Sequence, residues 1–250
     1  MVDPKSSSPG ERLIALSVHA YTALGVVCAF LAIEALDARA YGTMYLWMLV
    51  AVIIDATDGF LARRFRVKDV LPEIDGALLD NIIDFLNFTL VPVLFLYQSG
   101  WLLEPTWLWC SCILVASLFA FVNTGAKSSE FGFFRGFPSY WNIVVFLVDI
   151  SLRQWTLEPI DEVRWGVTSL VVFLAILSLL PVYFVYPSRA IRWPGFFMVG
   201  SFVWTVQLAL CLASYPQISA ELFYSSLIFP SVYLVMSAVW TPSIHRQVRG

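Results

Sequence analysis

Long uninterrupted runs of apolar residues constrain this chain more than any other feature of its sequence. Of its 250 residues, 59% are hydrophobic and only 13% are charged, whereas about 25% of a soluble domain is charged. A run of about 20 apolar residues matches the roughly 30 Å hydrocarbon thickness of a bilayer. Only helices and closed barrels satisfy their backbone polar groups in lipid. The continuous runs therefore predict an all-α, polytopic bundle of membrane helices.

About eight transmembrane helices fit these runs, and prolines lie near several of their ends. The fifth is short for a span. No low-complexity segment or solenoid repeat interrupts the chain, which favours a single integral membrane domain over residues 1–250. The predicted spans are 13–36, 41–61, 76–97, 107–124, 140–152, 167–186, 195–213 and 220–240.

The distribution of basic residues predicts the orientation in the membrane. If the N-terminus lies in the cytoplasm, only Arg39, Arg153 and Arg164 of the 15 Lys and Arg residues fall on the opposite side. This bias predicts an even number of spans with both termini in the cytoplasm. It also places the segment 55–84, which contains "RRFRVK", at the cytoplasmic face, where basic residues suit anionic headgroups.

Four aspartates stand in this segment, in two pairs at helical spacing. Asp55 and Asp58 are three residues apart and share a face of the second predicted helix. Asp80 and Asp84 are four residues apart and lie on one stripe of the third helix with Gly76. A short link joins the two helices, so they can pack antiparallel. We therefore expect the four carboxylates to converge near one membrane surface.

Such a cluster needs a counter-charge. A central acidic residue costs about 2.5–3.5 kcal/mol on insertion scales, and neighbouring carboxylates raise one another's pKa. Divalent cations resolve both problems, and an all-oxygen site favours Mg²⁺ or Mn²⁺. Two such ions about 4 Å apart clamp a phosphoryl group for in-line displacement. The residues thus predict metal-dependent phosphoryl chemistry at a lipid–water boundary.

The same segment resembles the signature of the CDP-alcohol phosphotransferase family, D-x2-D-G-x2-A-R followed by a spacer and G-x3-D-x3-D. The spacer, residues 64–75, is longer than the family's common length of about eight residues. Bacterial members that use choline share the longer spacer and eight spans, and "VLPEIDGALLDNIIDF" and "FFRGFPSYWN" also look like their sequences. The chain matches every fixed position of the signature: Asp55, Asp58, Gly59, Ala62, Arg63, Gly76, Asp80 and Asp84.

The resemblance implies an enzyme of the bacterial inner membrane that transfers the phosphatidyl group of CDP-diacylglycerol to choline and releases CMP. The metal ligands would be Asp55, Asp58, Asp80 and Asp84, holding two Mn²⁺ or Mg²⁺ ions. Asp84 would also be the general base that takes the proton of the choline hydroxyl. The resemblance further suggests a homodimer in contact with membrane lipids, and no nucleic-acid partner is expected.

Four residues of the signature would contact the substrates rather than the metal. The small residues would admit the cytidine nucleotide, and the arginine would neutralise phosphate. Alternatively, the small residues would allow close helix packing, and the arginine would anchor the orientation of the helix in the membrane. The set is Gly59, Ala62, Arg63 and Gly76.

Selection of choline must come from elsewhere in the chain. A quaternary ammonium offers no hydrogen-bond donor, so aromatic faces suit it through cation–π attraction. The candidates for aromatic contacts with choline are Tyr140 and Trp141, which lie in an aromatic-rich stretch. Lys127 and Arg135 on the same predicted side are candidates for binding phosphates. The competing interpretation of the aromatic residues is an interfacial aromatic belt. The competing interpretation of Lys127 and Arg135 is that they anchor the orientation of the protein in the membrane.

Three other functions remain open at this stage. In the first alternative, the enzyme catalyses the same transfer to inositol, serine or glycerol phosphate instead of choline. In a second, CDP-choline reacts with diacylglycerol. A third is an ion transporter, which would carry acids along its path. That alternative expects acids spread through the membrane depth, whereas here they gather at one face, with Asp149 as the main isolated exception.

Overall fold

The computed structural model describes residues 8–123, 133–185 and 193–249, without the side chains of 133, 134 and 242–249. It is almost entirely helical within these residues. Two three-residue strands, β1 (Phe133–Arg135) and β2 (Tyr183–Val185), accompany the helices. The helices are α1 (Pro9–Asp37), α2 (Tyr41–Arg64), α3 (Val67–Val70), α4 (Gly76–Phe85), α5 (Val91–Ser99), α6 (Thr106–Val122), α7 (Trp141–Gln154), α8 (Asp161–Leu179), α9 (Pro194–Ala213), α10 (Ala220–Ser226) and α11 (Ile228–Arg249).

The predicted polytopic helical bundle is confirmed. Among the described residues, six helical segments are long and apolar enough to cross a membrane, and the 17-residue α6 is a shorter apolar helix. Large apolar side chains such as Phe30 and Phe202 are 67% and 71% exposed, as expected of surfaces that face lipid. The 14-residue α7 covers only about 21 Å at 1.5 Å per residue. The number of eight spans stays a prediction.

The chain divides into two compact units, Met1–Pro92 and Val93–Gly250. In the first unit, α1 begins with a capping box between Ser8 and Glu11 and packs along α2. Small buried residues of α1, among them Ala15 and Ala32, allow this close approach. The predicted single domain over residues 1–250 is not tested by this division and stays a prediction.

A glycine sets the distance between α1 and α4. A β-carbon at Gly25 would lie 2.4 Å from Cγ2 of Ile83, so no larger residue fits there without movement. The neighbouring Asn87 donates from Nδ2 to the carbonyl of Gly25 at 2.9 Å. Asn87 belongs to a π-helical turn, Leu86–Leu90, that joins α4 to α5. Single π-turns inside helices occur frequently at functional sites.

The second unit has its own core. Helices α6 and α8 pack together, and β1 pairs antiparallel with β2, with Phe134 opposite Phe184. The fully buried Phe197 of α9 and Val185 of β2 form a cluster with aromatic residues of α11. Gly136 follows β1 at φ +86, a conformation that L side chains rarely adopt.

Candidate active site

Helices α2 and α4 bring together three of the four predicted carboxylates. Oxygen atoms of Asp55, Asp80 and Asp84 all lie within 4.8 Å of one another. Ligands on opposite sides of a Mg²⁺ ion stand about 4.2 Å apart, so small side-chain rotations would bring these oxygens to one ion. Hard carboxylate oxygens are also the donors that Mg²⁺ and Mn²⁺ prefer. The three residues therefore fit a divalent cation.

Asp58, the fourth predicted ligand, lies outside this three-carboxylate group. Its residue is only 7% exposed, and the Thr22 hydroxyl of α1 interacts with the carboxylate, as do the Gly59 backbone and the Arg63 charge. Residues three apart on a helix differ by about 60° in direction. Asp58 can therefore contact α1 while Asp55 is directed to α4, and its ligation of metal stays a prediction.

The long spacer is an ordered connection that positions α4. Val67, Val70 and Leu71 are buried against Ala15 and Val18 of α1, so the extra residues of the spacer bury apolar surface. The carboxylate of Asp75 then accepts hydrogen bonds from the backbone N–H groups of Ala77 and Leu78 at 3.1 and 3.0 Å. This N-cap stabilises the first turn of α4 and so fixes the start of the helix that carries Asp80 and Asp84.

An ion pair ties the same connection to the start of α1. The guanidinium of Arg12 contacts the carboxylate of Glu73. A hydrogen bond from the Glu73 backbone, together with Arg12, lowers the pKa of the Glu73 carboxyl below its usual value. Both side chains are about half exposed, so we expect this pair to orient the connection rather than to add much stability.

The Arg63 side chain lies over Gly59 on α2. Its Nη1 atom is 3.3 Å from the position that a β-carbon at Gly59 would occupy. The side chain thus folds back over the preceding turn, as helical side chains do. Gly59 leaves room for this, which gives the glycine a structural role compatible with the predicted nucleotide contact. Ala62 packs against the buried cluster of α1 and α3, so its small size serves helix packing.

Gly76 makes room for a histidine of α1. A β-carbon at Gly76 would lie 2.9 Å from Cε1 of His19, closer than real β-carbon contacts. His19 is 9% exposed, and its Nε2 atom has no hydrogen-bond partner among the described residues. The sequence alone suggests that His19 is a satisfied helix residue at a depth that would let it face the site. Its burial beside the helix that carries Asp80 and Asp84 makes it part of the site's framework.

We expect Gly76→Ala to destabilise the protein because the new methyl group overlaps the His19 imidazole. Overpacking of this kind costs about 1–3 kcal/mol. Thermal unfolding in a fixed detergent would measure it for Gly76→Ala, His19→Ala and the double variant. A favourable coupling of about 0.5–3 kcal/mol in the double variant supports the packing role. Additive effects would show that the alanine harms the protein by another route.

The residues predicted to select choline and bind phosphate lie in the second unit or outside the described residues. Lys127 is outside them. Arg135 ends β1 and is exposed. Tyr140 precedes α7 and is 37% exposed.

The predicted pairing of Tyr140 with Trp141 as contacts for choline stays a prediction. Trp141 is fully buried, donates from Nε1 to Ser117 at 2.7 Å and contacts Phe137 edge to face. Its position is that of a core residue, and only Tyr140 of the pair offers an accessible ring.

Comparison with known proteins decides the family. No family model matches the chain, but curated proteins do. A phosphatidylcholine synthase of Mesorhizobium japonicum is 36% identical over 225 residues, which cover 90% of this chain and 79% of that protein. The phosphatidylcholine synthase of Pseudomonas aeruginosa is 35% identical over 213 residues, covering 84% and 85%. That of Borreliella burgdorferi is 35% identical over 181 residues, covering 71% and 72%.

The chain belongs to the phosphatidylcholine synthase family. The resemblance inferred from the signature and from the long spacer is thereby confirmed. That finding does not assign roles to individual residues. The role of each site residue in this member of the phosphatidylcholine synthase family therefore stays a proposal.

Asp149, the acid that stood apart from the cluster, has a structural explanation in this family member. It is 1% exposed and accepts hydrogen bonds from Nε of Arg153 at 3.1 Å and from the Tyr215 hydroxyl at 2.8 Å. The Arg153 guanidinium also lies 5.0 Å from the centre of the Tyr215 ring. A paired and satisfied acid of this kind ties α7 to the end of α9 and gives no support to an ion-transport path.

Proposed function

We propose that this protein transfers the phosphatidyl group of CDP-diacylglycerol to choline, giving phosphatidylcholine and CMP. The observation that carries the proposal is the three-carboxylate group of Asp55, Asp80 and Asp84 on two helices of a chain in the phosphatidylcholine synthase family. The donor is a membrane lipid and the acceptor is water-soluble, so the reaction requires a site at the membrane surface. Asp55 lies in the second half of α2 and Asp80 in the second turn of α4, towards the connection 65–75, and Asp84 follows one turn further along α4.

The divalent cation, Mg²⁺ or Mn²⁺, would be held by Asp55, Asp80 and Asp84. With Asp58 as a fourth ligand, the site would hold two such ions. When bound, the cations would neutralise charge on the pyrophosphate and polarise the reacting phosphorus. The hydroxyl of Thr22 and the backbone of Gly59 interact with the Asp58 carboxylate. Asp75 holds the first turn of α4 and thereby fixes the direction of Asp80.

Asp84 is the proposed general base. Its carboxylate would take the proton of the choline hydroxyl, and the choline oxygen would form a bond to the phosphorus that carries the diacylglycerol. The bond between that phosphorus and the oxygen bridging to CMP breaks, and CMP leaves with the electron pair. Arg63, folded over Gly59, would stabilise the charge of the nucleotide phosphates. Gly59 and Gly76 would also let the cytidine nucleotide approach α2 and α4.

The orientation inferred from the basic residues completes the proposal. Both termini and the site would lie on the cytoplasmic side of the inner membrane. All the relatives named above are bacterial, which supports the inner membrane as the location. Lys127 and Arg135 are proposed as further phosphate contacts, and the protein is proposed to act as a homodimer.

Purified protein with CDP-diacylglycerol, Mn²⁺ and each acceptor in turn tests the proposed reaction. Choline, serine, inositol and glycerol phosphate are supplied separately, and CMP release and lipid product are both measured. We expect choline alone to give equal amounts of CMP and phosphatidylcholine. Faster reaction with another acceptor would assign a different alcohol. Product from CDP-choline and diacylglycerol, with none from CDP-diacylglycerol, would reverse the proposed donor.

Tyr140 is the proposed contact for the quaternary ammonium because its ring is accessible. A desolvated cation–π contact contributes about 2 kcal/mol, which is roughly thirtyfold in affinity. We therefore expect Tyr140→Ala to raise the KM for choline by about that factor and to leave the KM for CDP-diacylglycerol unchanged. Tyr140→Phe keeps the aromatic face and is the matched control, with a KM close to that of the parent protein. Equal rises of both KM values would instead indicate a general folding defect.

A further inference from the structure

An apolar cavity of about 490 Å³ lies within the second unit. Residues of α7, α8, α9 and α11 line it, together with Phe137. Its volume falls in the range of about 300–1,000 Å³ that is usual for ligand sites. Tyr140 and Trp155 at its margin are 37% and 50% exposed, and Leu170 is 40% exposed, so the cavity opens to the surroundings of the helices.

The cavity follows the whole length of α7. Its lining includes Tyr140, Val144, Leu147, Ser151 and Trp155, which recur at intervals of three or four residues and so form one stripe of the helix. From the first to the last of these positions the chain rises about 22 Å at 1.5 Å per residue. That length exceeds half of the roughly 30 Å hydrocarbon thickness. An elongated occupant lying along α7 therefore suits this shape.

Three polar side chains of the lining have hydrogen-bond partners within the fold. The Ser151 hydroxyl donates to the Leu147 carbonyl at 2.6 Å, and the Tyr233 hydroxyl donates to the Val185 carbonyl at 2.9 Å. Trp204 donates from Nε1 to the Ser226 carbonyl at 2.8 Å. None of the described lining residues is charged. Because a buried water needs two to four polar partners, this cavity suits hydrocarbon far better than water.

We propose that the cavity binds one acyl chain of a bilayer glycerophospholipid. The helices that form it include α8 and α9, both long and apolar enough to span the membrane, so acyl chains are the surrounding solvent at this depth. A chain in the cavity gains close contacts that a void would forfeit. The occupant's headgroup would lie outside the cavity and is not selected by it. Apart from Tyr140 at its margin, the cavity shares no residue with the proposed transfer site.

Gly166 allows the cavity to be filled without disturbing its walls. The residue lines the cavity, and a β-carbon added there meets nothing within 4 Å. Gly166→Phe should therefore place an aromatic ring in the space. Gly195→Phe is the matched control because Gly195 is also helical, has equally open space and does not line the cavity. Ser201→Leu fills the same space from α9 and serves as a second variant.

The test uses phosphatidylglycerol with a diazirine midway along one acyl chain, in nanodiscs that contain the full chain. After illumination, peptide mass spectrometry compares adducts on cavity residues such as Leu147 with adducts on the lipid-facing Phe202. We expect saturable labelling of the cavity in the parent protein and in Gly195→Phe. Both filling variants should lower it roughly tenfold, with labelling of Phe202 unchanged.

Thermal unfolding first establishes that each variant is folded. Cavity adducts that persist at the parent level in a folded filling variant would overturn the proposal. Labelling of the cavity that never saturates and only parallels that of Phe202 would also overturn it, because it would indicate bulk lipid contact. Labelling by a water-soluble diazirine at Leu147 would show a hydrated cavity and would overturn it as well.

Discussion

Asp80→Asn is expected to abolish choline-dependent turnover while the protein still inserts and folds. A neutral amide is a poor ligand for a hard dication, and Asp80 contributes one of the three carboxylates that lie within 4.8 Å of one another. Asp55→Asn should have the same effect. The measurement is CMP release from CDP-diacylglycerol at saturating choline, with Mn²⁺ supplied over a wide concentration range.

Asp75→Asn is the matched control for this loss. It removes one negative charge from the same segment, yet asparagine caps a helix about as well as aspartate. The hydrogen bonds to Ala77 and Leu78 can therefore persist, and turnover should stay close to that of the parent protein. Near-normal turnover in Asp80→Asn would remove the basis for the metal assignment.

Asp84→Asn is expected to lower kcat by about 10²–10⁴-fold, the usual contribution of a general base, with a further loss if Asp84 also ligates metal. CDP-diacylglycerol should still bind through Asp55, Asp80 and Arg63. The two effects separate when kcat is measured at saturation and nucleotide affinity is measured directly with labelled CDP. A variant that turns over normally at saturation but binds CDP weakly would make Asp84 a binding residue only.

The central part of the site follows from sequence periodicity. Spacings of three and four residues on helices joined by a short link suffice to predict that Asp55, Asp80 and Asp84 meet. The direction of Asp58 does not follow in the same way, because the face of α2 that contacts α1 depends on tertiary packing. Thr22 and the small residues of α1 decide it, and no pattern in α2 itself indicates this.

Other features depend on contacts that no local pattern encodes. Gly76 was predicted as a substrate contact, and its closeness to His19 became visible only with α1 and α4 packed together. Trp141 was predicted to contact choline, whereas its indole Nε1 donates a hydrogen bond to Ser117 of α6. Asp149 likewise accepts a hydrogen bond from the hydroxyl of Tyr215, which lies 66 residues later in the chain. Apolar runs predict helices well, whereas they do not reveal which side chains become core.

Binding of Mn²⁺ to the purified protein tests the central claim most directly. The electron paramagnetic resonance signal of free Mn²⁺ is followed as protein is added, for the parent chain, Asp75→Asn and Asp80→Asn, without substrate and with CDP-diacylglycerol. The proposed site predicts saturable binding in the parent chain and in Asp75→Asn, and affinity roughly tenfold or more weaker in Asp80→Asn. Equal Mn²⁺ affinity in all three proteins would contradict the assignment of the metal to Asp55, Asp80 and Asp84.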